Sequence, residues 1–478
     1  MRPRLLRRQI LGHLAIVPVL TGLVGLLLWA SPAVAQNNPK ALPAGGNGGR
    51  FEVTRYGAIP DGVTDCTKAF QAAIDDAART GGVVEVPAGR FLFKGHLVLE
   101  AGVHLVGVNS APQSREPQTG SILLPTEGRD KEAESAFIQM RSSTSISGLT
   151  FYYPEQKTDD IRPYPWTVEI RAATTVPGKG SFDSTVENVT LINSYNGIRA
   201  GTTENGRHHL VNINGCVLRR GIMIDFTGDI GRIQNVHFHC HFWEHAAFGG
   251  NWDRVFAYMQ KNLEAFIFGR TDWQYVNDTF VFPANIGYRF IETTNGSCNG
   301  QFSGIGADAC STCLLVESLQ PQGIAVVNGE FNAHRVGRET QLIVQKTCRA
   351  NLRFSNCAFW GPVEQNVLLD GPSFLSFGNC YFSNDDARTN SYAIRASDGR
   401  LQVENCTFDA RSKKRLSGHA FNQEDVRPPL GAVYLQNGVR HAIIRANNGY
   451  YGVSVKNEIG DRAIINDNEP FQPPKTNP

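Results

Sequence analysis

The phrase Asn-Cys-x-Phe occurs three times between Asn351 and Phe408, as Asn356-Cys357-Ala358-Phe359, Asn379-Cys380-Tyr381-Phe382 and Asn405-Cys406-Thr407-Phe408. The steps are 23 and 26 residues, and each copy follows a short alternating run such as Leu352-Arg353-Phe354 or Leu401-Gln402-Val403. A chain that repeats at this period is built of stacked units, each burying its apolar side against its neighbours. Alternation puts Leu401, Val403, Cys406 and Phe408 on one side of a ribbon, so each unit is expected to be one turn of a strand-built solenoid with these side chains inward. Asn suits the bend, because it tolerates unusual dihedrals and bonds neighbouring backbone, and stacked copies are expected to form an internal ladder. The three cysteines then read as a column of small buried thiols.

The same bend position recurs at Gly148, Asn188, Asn214, Asn235, Asn277, Gly304, Asn328, Asn356, Asn379, Asn405, Asn447 and Asn466, which gives about twelve turns over a domain spanning 51–469. Three steps, of 40, 42 and 42 residues, are longer than the rest, so loops are expected near 152–165, 243–264 and 409–429. Stacked at roughly 4.8 Å per turn, the domain is a rod on the order of 55 Å long.

Residues 1–35 carry Arg2, Arg4, Arg7 and Arg8, an apolar run from Leu14 to Ala30 and then Ala33-Val34-Ala35, the layout of a cleavable export signal. Arg7-Arg8-Gln9-Ile10-Leu11 also resembles a twin-arginine signal. An uncleaved anchor is disfavoured because Pro18, Thr21 and two glycines break the run. The mature chain is therefore expected to be secreted or periplasmic, with no membrane contact after cleavage. Losing four arginines and no acid takes the formal charge from +2 to −2, which removes any case for a nucleic-acid partner. In an oxidising compartment Cys298, Cys310, Cys313 and Cys348, near expected turns, are disulfide candidates. Residues 36–50 read as a flexible tether and 470–478, with four prolines, as a disordered tail.

Structure is expected to begin at Phe51 with a strand, a turn with Thr64 or Asp65 as helix cap, and a helix over Thr67 to Thr80 that buries Phe70, Ala73, Ile74 and Ala77. Arg55-Tyr56-Gly57-Ala58-Ile59-Pro60-Asp61-Gly62, with Asp65, Ala69, Gln71, Ala73-Ile74, Gly81-Gly82 and Val86-Pro87-Ala88-Gly89, resembles the opening of pectate lyase superfamily proteins of the rhamnogalacturonase and epimerase-like group. That resemblance implies an all-β solenoid, a right-handed parallel β-helix with an N-terminal capping helix. It implies little about the reaction, since hydrolases, lyases, epimerases and phage fibre proteins share the opening. It also implies that any cleft lies over the second strand of each repeat. The polygalacturonase motifs Asn-Thr-Asp and Gly-His-Gly are absent, only Gly231-Arg232-Ile233-Gln234 approaches a third, and the alginate epimerase signature Asp-Pro-His is missing, so no family catalytic residue carries over.

In-out alternation along successive second strands leaves Glu169 and Arg171, then Arg199, Met223 and Asp225, Ile267 and Arg270, and Arg289 facing outward. Carboxylates among arginines on one face fit either a substrate cleft or a solvated ladder of ion pairs, and the long loops at 152–165 and 243–264 that hang over these turns favour the cleft. His237, His239 and His241 are expected to alternate outward along one strand. No cofactor is expected, and these histidines are the one place where a metal would be sought. Trp243, Trp252 and Trp273 suit stacking on sugar rings, and Asn251 to Glu264 reads as a capped loop helix.

Hydrolysis needs a carboxylic acid and a carboxylate, for which Asp225, Glu169, Asp229 and Glu244 are the candidates. Elimination needs a base beside a uronate carboxylate and cations to hold that carboxylate, which Arg199, Arg270 and Arg289 supply, with Arg171 a further substrate-binding candidate. The favoured expectation is an exported glycoside hydrolase acting on an acidic polysaccharide. A polysaccharide lyase and a non-catalytic polysaccharide-binding β-helix are the alternatives.

Overall fold

The computed structural model describes residues 49–108, 119–176, 178–244, 249–333, 340–361, 363, 365–383, 392–409, 412–414, 423–425 and 431–472. The expected export signal and nearly all of the tether lie outside them.

Thr185–Leu191, His209–Gly215 and Arg232–His239 show the repeating unit. Each pivots on one left-handed residue, Asn188 (φ 53°), Asn212 (φ 54°) and Asn235 (φ 50°). This conformation costs most L-residues roughly 1–2 kcal/mol, and Asn and Asp reach it most readily after Gly. The pivots stack because the strands register in parallel, Val186 against Leu210 against Ile233 before the bend and Val189 against Ile213 against Val236 after it. A loop then leads to a third strand, and these third strands form their own parallel sheet of thirteen, from Leu97–Leu99 to Val455–Asn457, in which each strand pairs with those one turn away. The chain is a right-handed parallel β-helix.

The inward columns are as expected. Leu401, Val403, Cys406 and Phe408 are buried, and Phe359, Phe382 and Phe408 stack at 5.2 and 5.1 Å with nearly parallel rings. At the N-terminal end, α1 (Thr67–Ala78) lays Phe70, Ala73, Ile74 and Ala77 on the first turns. Its cap residue is Cys66, while Asp65 accepts from the Thr67 amide at 3.0 Å.

Four expectations are corrected. The bends expected at Asn214, Asn277, Asn447 and Asn466 fall at Asn212, Asp278, Ala446 and Asp467, because the stacking register and not the residue type decides the pivot. Asn447 instead points inward, donating to the Val403 carbonyl and accepting from the Cys406 amide. The Asn ladder forms, Asn235 to Asn212 at 2.8 Å and Asn212 to Asn188 at 3.0 Å, but on the solvent side of the bend, because a left-handed residue turns its side chain away from the core. All ten cysteines are free and buried; Cys298, Cys310, Cys313 and Cys348 occupy inward positions, where they pack as small apolar groups. The tail remains part of the stack at its start, where Pro470 bridges to Val453 and the Gln472 amide donates to the Tyr451 carbonyl.

Candidate functional site: an arginine face on the third-strand sheet

Most third strands follow one five-residue pattern, as in Arg220–Ile224 and Ile286–Phe290: positions one and four face out, and positions two, three and five face in. Two consecutive inward residues require a close approach at position two. At Gly197 a Cβ would sit 2.4 Å from the Gly221 carbonyl of the next turn. The outward fourth positions form the column Gln139, Glu169, Arg199, Met223, Ile267 and Arg289. One residue past each strand, a second column runs Arg141, Arg171, Gly201, Asp225 and Gly269, in which the amides of Arg141, Arg171, Asp225 and Gly269 are bonded to the turn below. The sequence-based face is thus assembled, and Arg141 and Arg220 join it. Arg141 was legible, since Ile138-Gln139-Met140-Arg141 repeats the pattern of Val168-Glu169-Ile170-Arg171.

Glu169 lies at the centre and is fully buried. One carboxylate oxygen accepts from Arg199 Nη2 at 2.8 Å and Thr202 Oγ1 at 2.5 Å, and the other lies 3.7 Å from Arg171 Nη1. Arg141 Nη1 donates to the Arg171 carbonyl at 3.0 Å, and the Arg199 guanidinium lies 5.4 Å from the Trp166 ring centre. Arg220 donates to Glu132 at 2.7 Å. The Nε atoms of Arg141, Arg171 and Arg199 are buried without a hydrogen-bond partner. Burial lowers the pKa of Arg141 and Arg199, the signature of cations held partly out of water. The result is a covered carboxylate under a layer of partly exposed guanidinium groups.

The other proposed residues have defined places. Asp225 is 7 % exposed and both of its oxygens are engaged, by the Arg270 amide (2.8 Å), Thr293 Oγ1 (2.9 Å) and Asn295 Nδ2 (3.0 Å), so it ties the 291–297 loop to the face. Gly201 and Gly269 flank it, and a Cβ at Gly201 would meet Asp225 Cβ at 2.7 Å. Arg270 donates to Asp272 (2.7 Å). Arg289 is shared between Glu264 (2.9 Å) and Glu317 (2.7 Å); against the opposing effect of burial, bonds from Arg289 and Arg219 hold the Glu264 carboxyl below its usual range.

Asp229 lies away from Glu169, paired with Arg207 at 2.8 Å, and lines a 540 Å³ cavity with Asp272, Trp273, Asn299, Gln320 and Gln322. Trp273 is 63 % exposed and has φ 56°, a conformation rarely adopted by a bulky residue. The Asn299 side-chain oxygen, accepting from the Trp273 amide at 3.0 Å, holds it there. Of the three tryptophans singled out for stacking, Trp243 is buried and Trp252 is 37 % exposed.

The histidines belong to another face. His237 and His239 alternate outward on Arg232–His239, but His241 opens α2 (His241–Glu244), so the expected three-residue strand face ends after two. Their rings pack on one another at 4.1–5.6 Å and on Phe242, Phe280, Phe282 and Trp252, and burial lowers the pKa of His237. Glu244 sits on the same short helix, away from Glu169. α3 (Trp252–Asn262) is capped by the Asn251 side chain, as expected. Among the described residues the ligand atoms that converge belong to His96, Glu127 and Glu134, not to these histidines, and Lys131 already lies 4.0 and 3.1 Å from the two carboxylates.

The parallel β-helix is shared with proteins to which this chain is similar, and its first turns match a family model. Residues 50–124 match the family model described as rhamnogalacturonase A/epimerase, pectate lyase-like. Mannuronan C5-epimerase AlgE2 of Azotobacter vinelandii is 32% identical over 112 residues, 21% of this chain and 10% of that protein. AlgE1 of the same organism is 43% identical over 65 residues, 12% of this chain and 5% of that protein. The matched stretches are thus a tenth or less of these relatives. Among solved structures, the N-terminal fragment of bacteriophage phi29 gene product 12 superposes with a TM-score of 0.58 at 12% identity, covering 83% of this chain and 66% of that one. The Dettilon tailspike protein gives 0.50 at 10% identity, covering 85% and 68%. At these identities the likeness is one of fold.

Proposed function

We propose that this chain is an exported enzyme that binds a uronate-containing polysaccharide along the arginine face and removes the proton beside a uronate carboxylate, leading to elimination or epimerisation. The observation that carries this reading is the set of three adjacent arginines, 141, 171 and 199, whose partly exposed guanidinium groups lie above one covered carboxylate. Their outer N–H groups are charge-assisted donors that a carboxylate on the sugar would meet. Neutralising that carboxylate is what makes the neighbouring C5 proton removable. A base takes that proton; a proton delivered to the opposite face of C5 then inverts it, whereas departure of the 4-linked oxygen, protonated as it leaves, breaks the chain and leaves an unsaturated uronate.

The relatives named as mannuronan C5-epimerases support a uronate substrate. Hydrolysis fits this face less well than the sequence suggested. Glu169 is covered by its own arginines, and Asp225 spends both oxygens on the 291–297 loop, so neither presents a free carboxyl to a glycosidic bond. Trp273, exposed beside Arg270 and Asp272, is assigned as a wall on which a sugar ring stacks.

The test is incubation of the mature protein with a panel of polyuronates in D2O, reading the ultraviolet absorbance of unsaturated ends, deuterium at C5, and new reducing ends. Absorbance or deuterium is expected, and Arg199→Met should abolish it. Reducing ends without either signal would establish hydrolysis and refute the proposal. Saturable binding with all three signals silent would make the face a binding surface only.

A further inference from the structure

Thr271–Phe282 and the three turns after it carry an arrangement on the face of the histidines, not of the arginines. Phe280, Gly306 and Glu330 register one above another, and Asp308 registers with Asn332 and that residue with Trp360. Gly306 lets the Phe280 ring lie close against the backbone, since a Cβ there would lie 2.8 Å from the ring; Gly304 does the same for the Asp278 carboxylate. Beside them lies a 410 Å³ cavity lined by Asp278, Phe280, Asp308, Glu330, Asn332 and Trp360 together with Asn328 and small or apolar groups. That volume lies within the ~300–1,000 Å³ of small-molecule sites. Trp360 Nε1 donates to Glu330 at 2.9 Å, which fixes the indole in the wall.

We propose that this cavity is a second glycan site, separate from the arginine face and selective for an uncharged sugar unit. Phe280 and Trp360 supply apolar surfaces for the C–H face of a pyranose, and the oxygens of Asp278, Asp308, Glu330 and Asn332 accept from its hydroxyl groups. No lining residue is a cation, so the field that draws a polyuronate to the arginines repels it here. The site is not visible in the sequence because its residues come from four turns and no two of its carboxylates are close in the chain.

Asp308 gives the site a proton dependence. Burial raises its carboxyl to about 6, and Glu330 adds to the effect. The titratable groups around it are Glu330 and Asp278 in the cavity wall and the buried thiols of Cys310 and Cys313 behind it. Below pH 6 the neutral acid donates a hydrogen bond to the sugar; above it the group only accepts.

The experiment is calorimetric titration of the full mature chain with cello-, malto- and manno-oligosaccharides and with an oligogalacturonate, below and above pH 6. At least one neutral series is expected to saturate. Trp360→Ala and Glu330→Gln should each weaken it about tenfold or more. Asp308→Asn should flatten the pH dependence, and the oligogalacturonate should not displace the neutral ligand. Glu330→Gln and Trp360→Phe keep shape, and matched thermal unfolding separates lost binding from lost fold. No saturable binding of any neutral series, binding indifferent to these variants, or displacement by the oligogalacturonate would overturn the proposal.

Discussion

Replacing Glu169 by Gln keeps the shape at the centre of the arginine face and removes its only fully buried carboxylate. The Arg199 bond passes to an uncharged amide oxygen and loses about 1 kcal/mol of the roughly 1.5–3 kcal/mol that a hydrogen bond to a charged group contributes. The Thr202 bond survives, because an amide oxygen still accepts it. Arg171 and Arg199 then face each other without a shared anion. At an effective dielectric near 20 a pair of charges about 4 Å apart interacts by about 4 kcal/mol, and partial exposure of both guanidinium groups cuts this by half or more. The net expectation is a loss of about 3 kcal/mol. With about 2.1 cal/mol/K of unfolding entropy per residue over roughly 420 residues, that is a fall in Tm of about 3 °C, measured by scanning calorimetry. Adding Arg199→Met to Glu169→Gln should cost less than the sum of the two single changes, because the second removes a charge the first left unpaired. A shift within about 1 °C for Glu169→Gln, with strict additivity in the double variant, would refute the picture of one buried anion holding a cationic layer.

The other predictions concern the stack, the wall and two buried titrating groups. Asn212→Ala should destabilise by about 2 kcal/mol, from a left-handed alanine plus two ladder bonds, while Asn212→Gly should cost about 1 kcal/mol; equal losses by denaturant titration would show that φ is not the issue. Trp273→Ala should weaken polyuronate binding about tenfold at unchanged Tm; unchanged affinity would remove the stacking role.

Burial lowers His208 to about 4, so the folded chain binds fewer protons than the unfolded one between pH 6.5 and 4, and the stability it contributes above that window is lost as pH falls through it. Asp308, raised to about 6 from 3.8, works in the opposite sense: its contribution is complete below 3.8 and lost as pH rises through 6. Asp308→Asn should therefore steepen the fall in Tm between pH 6 and 4, and profiles parallel to wild type would contradict the burial of that carboxyl.

The solenoid was legible because its causes are local. A left-handed pivot favours Asn, Asp or Gly, alternation selects the inward Leu, Val, Cys and Phe, and the period follows from both. The helix that caps the first turns, down to its buried face of Phe70, Ala73, Ile74 and Ala77, was equally local. Outward placement of Glu169, Arg199 and Arg289 followed from the same alternation, so the composition of the arginine face was readable one strand at a time. What alternation does not contain is the partner each side chain finds across turns. Only the stacking register decided that Asp225 would be consumed by Thr293 and Asn295, that Glu169 would lie beneath its arginines, and that Arg141 would stand next to Arg171. Register also moved four bends by one or two residues and turned the Asn ladder toward solvent. The cavity at Asp308, Glu330 and Trp360 was invisible for the same reason: in a β-helix a site is read across turns, perpendicular to the chain, and residues some twenty-odd positions apart become neighbours only when the turns are stacked.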